Sequence, residues 1–318
     1  MRLHDQPGTK LPIAAAFQAR VRYDEPMSAH SSWRAGGRAQ AYFSPHDVDD
    51  LVVFLRTLPV SVPVYWVGLG TNLLVRGGGI RGVVIATPGV FTRIERRSQA
   101  RVRCEASVPC ARIARCCANW ELSQGEFFSG IPGTLGGALA MNAGAFGDET
   151  WRHVIVVETI ARNGERRTRA ASEFSVGYRE VALASTEPGV AAVQEWFLAA
   201  ELQFDPQAGA TATLKELMQR RRDTQPLGGW SCGSVFKNPP GDYAARLIDT
   251  AGLKGYRIGD AVVSEKHANF IINCGAASPS DLEQLIRHVQ ASVQQVHGVA
   301  LEPEVRIIGE APGAGETH

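Results

Sequence analysis

Residues 127–147 constrain this chain more than any other stretch. Five glycines, Gly130, Gly133, Gly136, Gly137 and Gly144, are interleaved with apolar residues, and no charge intervenes before Asp148. Glycine reaches positive φ at little cost and lets another group approach the backbone closely. Pro132 carries a preset φ suited to the start of a helix. The spacing therefore predicts a loop that turns into a helix near residues 130–134. Such a turn aims free N–H groups at an anion. A tight glycine turn packed in a core has the same spacing, so this stretch alone leaves both readings open.

A second glycine loop shifts the balance. Val64, Tyr65, Trp66 and Val67 read as a short buried strand running into Gly68, Leu69, Gly70, Thr71, Asn72 and Leu73. Neither loop is a standard nucleotide motif. A P-loop needs Gly-Lys followed by Ser or Thr, which both stretches lack. The dinucleotide fingerprint needs a third glycine where Leu73 stands, and then a helix. Here an apolar strand-like run follows.

Four motifs in order carry a resemblance. They are Ser32-Trp33-Arg34-Ala35-Gly36-Gly37, Gly68-Leu69-Gly70-Thr71-Asn72-Leu73-Leu74, Gly130-Ile131-Pro132-Gly133-Thr134-Leu135-Gly136-Gly137-Ala138, and Met141-Asn142-Ala143-Gly144-Ala145. Together they resemble the flavin-binding part of the UDP-N-acetylenolpyruvoylglucosamine reductases, and the resemblance runs from about residue 30 to 309. It implies non-covalent FAD held by Gly68, Gly70, Thr71, Asn72 and Leu73 of the first loop. From the second it adds Gly130, Ile131, Gly133, Thr134, Gly136, Gly137, Ala138, Asn142, Ala143 and Gly144.

The bulk numbers fit a soluble enzyme. The 318 residues suit two or three domains, with 44% hydrophobic residues and a formal charge of +1. That charge offers no basic surface for nucleic acid or an acidic membrane. The apolar run at residues 11–17 is too short to cross a bilayer and makes a poor signal peptide, which predicts a cytoplasmic protein. Cys104, Cys110, Cys116, Cys117, Cys232 and Cys274 form no Cys-x-x-Cys pair, and the length argues against a disulfide scaffold. The eight histidines include no pair spaced for a metal, so no metal site is expected.

Along the chain, residues 1–28 read as an N-terminal extension. Ser44 suits a helix N-cap with Pro45 at the first helical position, ahead of Val48, Leu51, Val52 and Leu55 at helical spacing. Strand-like runs follow at 64–67, 73–75, 82–86 and 101–106, then a helix at 109–119. The run at 154–160, the Asn163-Gly164 turn and the return at 165–169 predict a hairpin, with a further strand at 192–204. Asp205 to Gly209 is turn-rich and marks a boundary. Thr213 and Glu216 have capping-box spacing for a helix ending near Arg222. Ser278, Pro279 and Asp281 start another helix, striped by Leu282, Leu285, Ile286, Val289, Val293 and Val296 and stopped by Gly298. Strands are expected at 269–273 and 305–308, and disorder from about residue 310.

Three later blocks extend the resemblance. An isolated Tyr178-Arg179 is usually a surface pair, but the resemblance places Arg179 on the substrate's enolpyruvyl carboxylate, with Tyr178 beside it. Val181 stands where the family often has serine. The block Gly233-Ser234-Val235-Phe236-Lys237-Asn238-Pro239 lacks a nucleophile elbow. Its resemblance makes Ser234 the proton donor and Asn238 a substrate contact, with Cys232 a wall residue. In Pro303-Glu304-Val305-Arg306, Glu304 would sit beside the reacting carbon. Lys254 and His267 match substrate-side positions, and an ammonium suits a pyrophosphate. Asp260 departs from the family's glycine.

The implied chemistry is coherent. NADPH supplies hydride through FAD to the terminal carbon of an enol ether on a UDP-sugar. Arg179 stabilises the charge that builds toward the carboxylate, and Ser234 protonates the neighbouring carbon. The expected fold is α+β. It comprises a two-lobed FAD-binding unit of the PCMH/VAO type at 29–205, an α+β substrate-binding domain at 206–310 and a tail at 311–318. The linker 180–189 holds no tyrosine, which implies the shorter subclass with an open site. A monomer is expected. Two rivals remain. An oxidase with covalent FAD would want a histidine or cysteine in residues 68–75, which have none. A binding protein that has lost catalysis would not need Arg179, Ser234 and Glu304 together.

Overall fold

The computed structural model describes residues 11–184, 194–207 and 209–313. The described residues begin inside the first lobe. Leu11, Ile13, Phe17, Val21 and Met27 are buried, and β1 (Arg22–Pro26) pairs antiparallel with β2 (Arg38–Phe43). The expected extension is therefore structured over 11–28. Its apolar residues are too unevenly spaced to show a period, although each finds a place in the core.

The helix α1 (Val48–Thr57) starts three residues later than its capping signal suggested. Asp47, not Ser44, is the N-cap, and its carboxylate accepts from the Asp50 N–H at 2.8 Å. Then come β3 (Val64–Val67), β4 (Leu73–Val75) and β5 (Ile80–Ala86). The first sheet has the order β1-β2-β5-β3, with β2, β5 and β3 mutually parallel. On one face α1 buries Leu51, Phe54 and Leu55, and Phe54 stacks on Phe43 at 3.9 Å.

The second lobe is wholly antiparallel. It contains β6 (Ile94–Arg96), β7 (Arg101–Glu105), α2 (Cys110–Asn119), α3 (Leu135–Ala140), β8 (Val154–Ala161) and β9 (Arg166–Ala170). A small hairpin, β10 (Phe174–Gly177) and β11 (Glu180–Leu183), leads to β12 (Glu195–Gln203). The sheet order is β9-β8-β12-β7-β6. Arg162 ties this lobe to the first: its guanidinium donates to the carbonyls of Leu55, Leu58, Pro59 and Val62 at 2.7–3.4 Å. Those include carbonyls that the end of α1 leaves without helical partners.

Beyond Asp205 the domain expectation shifts. The helix α4 (Ala210–Thr224) has Gly209 as its N-cap, with φ +104 and no side-chain bond, so Thr213 lies inside the helix instead of capping it. Ala210 and Leu214 join the core of the second lobe, and Arg221 donates to the Ser129 carbonyl at 2.6 Å. This helix, expected to open the substrate domain, packs on the flavin side.

The remaining elements are α5 (Ala244–Thr250), the sheet β13 (Arg257–Ile258), β14 (Ala261–Val263) and β15 (Ile271–Asn273), and α6 (Pro279–His297). In α6, Ser278 and Asp281 cap reciprocally and Gly298 closes the helix at φ +70. The stripe from Leu282 to Val293 is buried, whereas Val296 is exposed, one turn past the core. The chain then returns: β16 (Arg306–Ile308) pairs parallel with β4 of the first lobe.

Two more contacts fix this joint. Trp33 is fully buried in the C-terminal core, donating to the Ile271 carbonyl and accepting at its own carbonyl from Asn273. Arg76 makes a bidentate pair with Glu283, both bonds 3.0 Å. Glu310, expected in a disordered tail, accepts at its carbonyl from the Gly78 N–H and pairs with Arg81. Ala311 and Pro312 lie against Gly78 and Gly77, and residues 314–318 are outside the described residues.

Candidate active site

Both glycine loops face one cleft, of about 400 Å³. The first loop enters from β3, the second from a 3-10 turn at Glu126–Gly130 that leads through Pro132 into α3. Thr71 joins them, its hydroxyl donating to the Pro132 carbonyl at 3.0 Å. Gly70 has φ +64, and a Cβ there would lie 1.9 Å from the His30 carbonyl oxygen. Gly133 has φ +131, and a Cβ would stand 2.9 Å from the Thr71 hydroxyl. Only glycine satisfies both demands.

Gly70, Thr71, Gly133, Thr134 and Gly137 line the cleft, and their N–H groups meet no acceptor among the described residues. That donor set fits a cofactor pyrophosphate. Gly68, Asn72, Leu73, Ile131, Gly136, Ala138 and Ala143 line the cleft too. Gly130, Asn142 and Gly144, which the resemblance assigns to the cofactor, are not among the residues lining this cleft. Asn142 is fully buried and holds the Trp151 N–H and the Gly177 carbonyl. Sequence inspection also passed over Trp66, Trp196 and Arg306, which line the cleft. Only Arg306, in a block already singled out, left a signal that could have been read.

The expected chemical residues gather next to the first loop. Arg179 occupies the two-residue turn between β10 and β11 at φ +60, an uncommon conformation for a side-chain-bearing residue. Its guanidinium donates to Glu304 at 3.0 Å and to the carbonyls of Asn142 and Gly144 at 3.2 and 3.4 Å. The second glycine stretch thus positions Arg179 through Asn142 and Gly144, two of the three that do not line the cleft. Asn72 links the first loop to this cluster, its amide donating to the Glu304 carbonyl at 3.1 Å. Val181, in the family's serine position, packs on the second-lobe core.

Glu304 is held between charges yet mostly dry. Burial pushes its carboxyl above the usual range, opposed by the Arg179 guanidinium and, less, by Lys237. Ser234 comes from the neighbouring segment: the Val235 carbonyl accepts from the Glu304 N–H at 2.7 Å. Gly233 lies against Pro132, which puts the serine beside the second loop. The Ser234 hydroxyl meets no partner among the described residues. Cys232 is walled behind the first loop, its thiol against the Gly70 and Leu73 carbonyls and pushed up by burial to about 11. A group so placed is inert.

The substrate-side candidates divide. Tyr178 lies under the Arg179 guanidinium at 4.9 Å and accepts from the Asn238 N–H at 3.3 Å. The Asn238 side chain itself accepts from Ala244 at the start of α5, leaving its amide N–H groups free among the described residues. Lys254 pairs with Asp249 at 2.7 Å. His267 is pushed down by burial and then by the Lys254 charge, so the two are neighbours, and its Nδ1 is buried without a partner. Asp260 pairs with Arg257 and accepts from Ala276, a structural use. Of the tyrosine-free linker at 180–189, residues 180–183 form β11 and residues 185–189 lie outside the described residues.

Cleft, glycine loops and two-lobed unit define a flavin-binding protein. Residues 39–169 match the model of the FAD binding domain. Residues 225–308 match that of the UDP-N-acetylenolpyruvoylglucosamine reductase C-terminal domain. Two reductases of that name, from Alkalilimnicola ehrlichii and Methylococcus capsulatus, are each 53% identical to this chain. The matches cover 92% and 90% of this chain, and 95% and 92% of those proteins. The crystal structure of the reductase from Thermus caldophilus aligns with a TM-score of 0.75 at 29% identity, over 90% of this chain and 97% of that one. The chain belongs to the UDP-N-acetylenolpyruvoylglucosamine reductase family.

Proposed function

We propose that this flavoenzyme uses NADPH to reduce the enolpyruvyl ether of UDP-N-acetylglucosamine to UDP-N-acetylmuramate, a peptidoglycan precursor, with Arg179, Glu304 and Ser234 acting on the substrate. The observation that carries the reading is the Arg179–Glu304 pair, joined to the first glycine loop by Asn72. Bound FAD supplies hydride, taken from NADPH. The unpaired N–H groups of Gly70, Thr71, Gly133, Thr134 and Gly137 would hold its pyrophosphate without a covalent link.

Arg179 binds the enolpyruvyl carboxylate and stabilises the negative charge that develops there, in a site drier than water. Glu304, its carboxyl raised by burial, holds the guanidinium in place and accepts a proton more readily than a solvated carboxylate. Ser234 delivers a proton from its unpaired hydroxyl to the carbon next to the carboxylate. Tyr178, Asn238, Lys254 and His267 bind the nucleotide sugar, Lys254 through the pyrophosphate. The domain division that serves this is a flavin unit to about residue 224 and a substrate domain from 225.

No helix among the described residues is long and apolar enough to cross a membrane. A nucleotide-activated substrate and a dihydronicotinamide support a cytoplasmic site of action, and the formal charge of +1 supports small-molecule partners instead of nucleic acid. A monomer suffices, since one chain supplies every proposed residue. The test is NADPH oxidation with and without the UDP-sugar. Turnover only with the sugar supports the reading, and turnover with oxygen alone makes the protein an oxidase.

A further inference from the structure

Two residues with side chains adopt left-handed backbone and are bonded to each other's segments: Asn142 at φ +43 and Arg179 at φ +60. Such conformations cost free energy and persist only where the surroundings impose them. The bonds run both ways. The Asn142 carbonyl accepts from the Arg179 guanidinium at 3.2 Å. The Asn142 side-chain amide donates at 3.2 Å to the carbonyl of Gly177, the residue that leads into the Arg179 turn.

Asn142 is in turn held by a 3-10 turn at Thr150–Arg152, outside every motif read from the sequence. The Trp151 N–H donates to the Asn142 side-chain oxygen at 3.0 Å. The Trp151 ring packs against Phe174 of β10, with centroids 4.7 Å apart. Thr150 is fully buried, and its hydroxyl and its N–H both donate to the Ala143 carbonyl, at 2.7 and 3.0 Å. Ala143 lies between the two residues whose carbonyls hold Arg179. A segment pinned twice at its centre keeps both neighbours aimed.

This frame decides what Arg179 has left to offer. A guanidinium carries five N–H donors. Its Nε donates to Glu304, and one N–H from each terminal nitrogen goes to Asn142 or Gly144. The second N–H on each terminal nitrogen meets no acceptor among the described residues. Two donors on neighbouring nitrogens are what a carboxylate takes in a bidentate pair.

We infer that Asn142 and Thr150 are positioning residues for Arg179, setting its guanidinium so that the two unspent N–H groups meet the substrate carboxylate. This rests on the function proposed above for Arg179. It gives Asn142, which does not line the cofactor cleft, a part in the substrate's half of the reaction and none in holding flavin.

The experiment takes the flavin-loaded, full-length protein and follows flavin reduction by NADPH and reoxidation by the UDP-sugar separately. Asn142→Asp keeps an oxygen for Trp151 and tolerates left-handed backbone, but has no N–H for Gly177. Thr150→Val keeps the volume and loses only the hydroxyl. Asn142→Asp should slow reoxidation about 10²-fold, the effect of a small misplacement of a reacting group. Thr150→Val should slow it less, since its N–H still holds Ala143. Flavin content and reduction by NADPH should match the unaltered protein in both. Added to Arg179→Ala, neither substitution should slow reoxidation further, because the group being positioned is gone. Effects that multiply in that background overturn the inference and make the two residues general supports of the fold. Full-speed reoxidation in both single variants overturns it too, as does loss of FAD or slower flavin reduction in Asn142→Asp. Full-speed reoxidation in Arg179→Ala itself refutes the function proposed for that arginine, and its positioning residues lose their role with it.

Discussion

The glycine cleft and the Arg179–Glu304 cluster lie side by side but are made of different material. The cleft offers mainly backbone N–H groups, kept open because Gly70 and Gly133 have no Cβ. The cluster is made of side chains from three segments far apart in sequence, residues 178–179, 233–238 and 302–304. One region works by what its residues lack, the other by what they carry. Damage to each should therefore fail differently: altering the cleft loses the cofactor, and truncating the cluster loses the reaction while the cofactor stays.

The largest effect should come from Gly70→Ala. Its new Cβ lands on the His30 carbonyl in a left-handed backbone, adding a clash to strain of about 1–2 kcal/mol. Gel filtration should yield protein without bound flavin. Retained stoichiometric FAD would break the claim that the loop needs glycine here. Next, Arg179→Ala should keep FAD but lower kcat by about 10²–10³, the usual loss when a group that stabilises developing charge is removed. Equal loss of flavin would erase the contrast between the regions.

Gly137→Ala sharpens the comparison. The nearest atom to its Cβ is 4.0 Å away, and α3 gains up to about 1 kcal/mol from replacing glycine by alanine. The apoprotein should melt slightly higher while FAD binds more weakly, since the methyl intrudes on the cleft. Tighter FAD binding would show that Gly137 is no part of the cradle.

The smallest effect concerns the joint. Arg76 bonds hold the Glu283 carboxyl below its usual range. A lowered folded pKa contributes stability that is present above the unfolded value, about 4.3, and is lost as pH falls through the folded value. Glu283→Gln should thus cost about 1 kcal/mol near neutral pH, and the difference in melting temperature should vanish in acid. A difference that grows in acid would reverse the sign and sink this account.

What could be read from the residues divides along the same line. The strands at Val64–Val67 and Leu73–Val75 and the helix from Pro279 have local signals, namely apolar runs, a serine cap and a stop glycine, and the structure agrees with each. The glycine loops announced a cleft, because a missing Cβ repeats visibly along a chain. Long-range packing had no such signal. Nothing local reveals that Trp33 is buried in the C-terminal core, that α4 packs on the second lobe, or that β16 returns to β4. Asn142 and Gly144 belonged to a recognisable motif, yet only the fold reveals that their carbonyls hold Arg179. Trp66 and Trp196 are 130 positions apart and become one feature only when two lobes meet.

The division of labour is tested most directly by stopped flow on Ser234→Ala, with flavin reduction by NADPH and reoxidation by the UDP-sugar measured apart. In the proposed assignment the hydroxyl serves the substrate and not FAD, so the reductive half should match the unaltered protein. The oxidative half should slow by about 10²–10⁴, the contribution of a positioned proton donor. Unchanged reoxidation would remove Ser234 from the chemistry, and equal slowing of both halves would make it a structural residue.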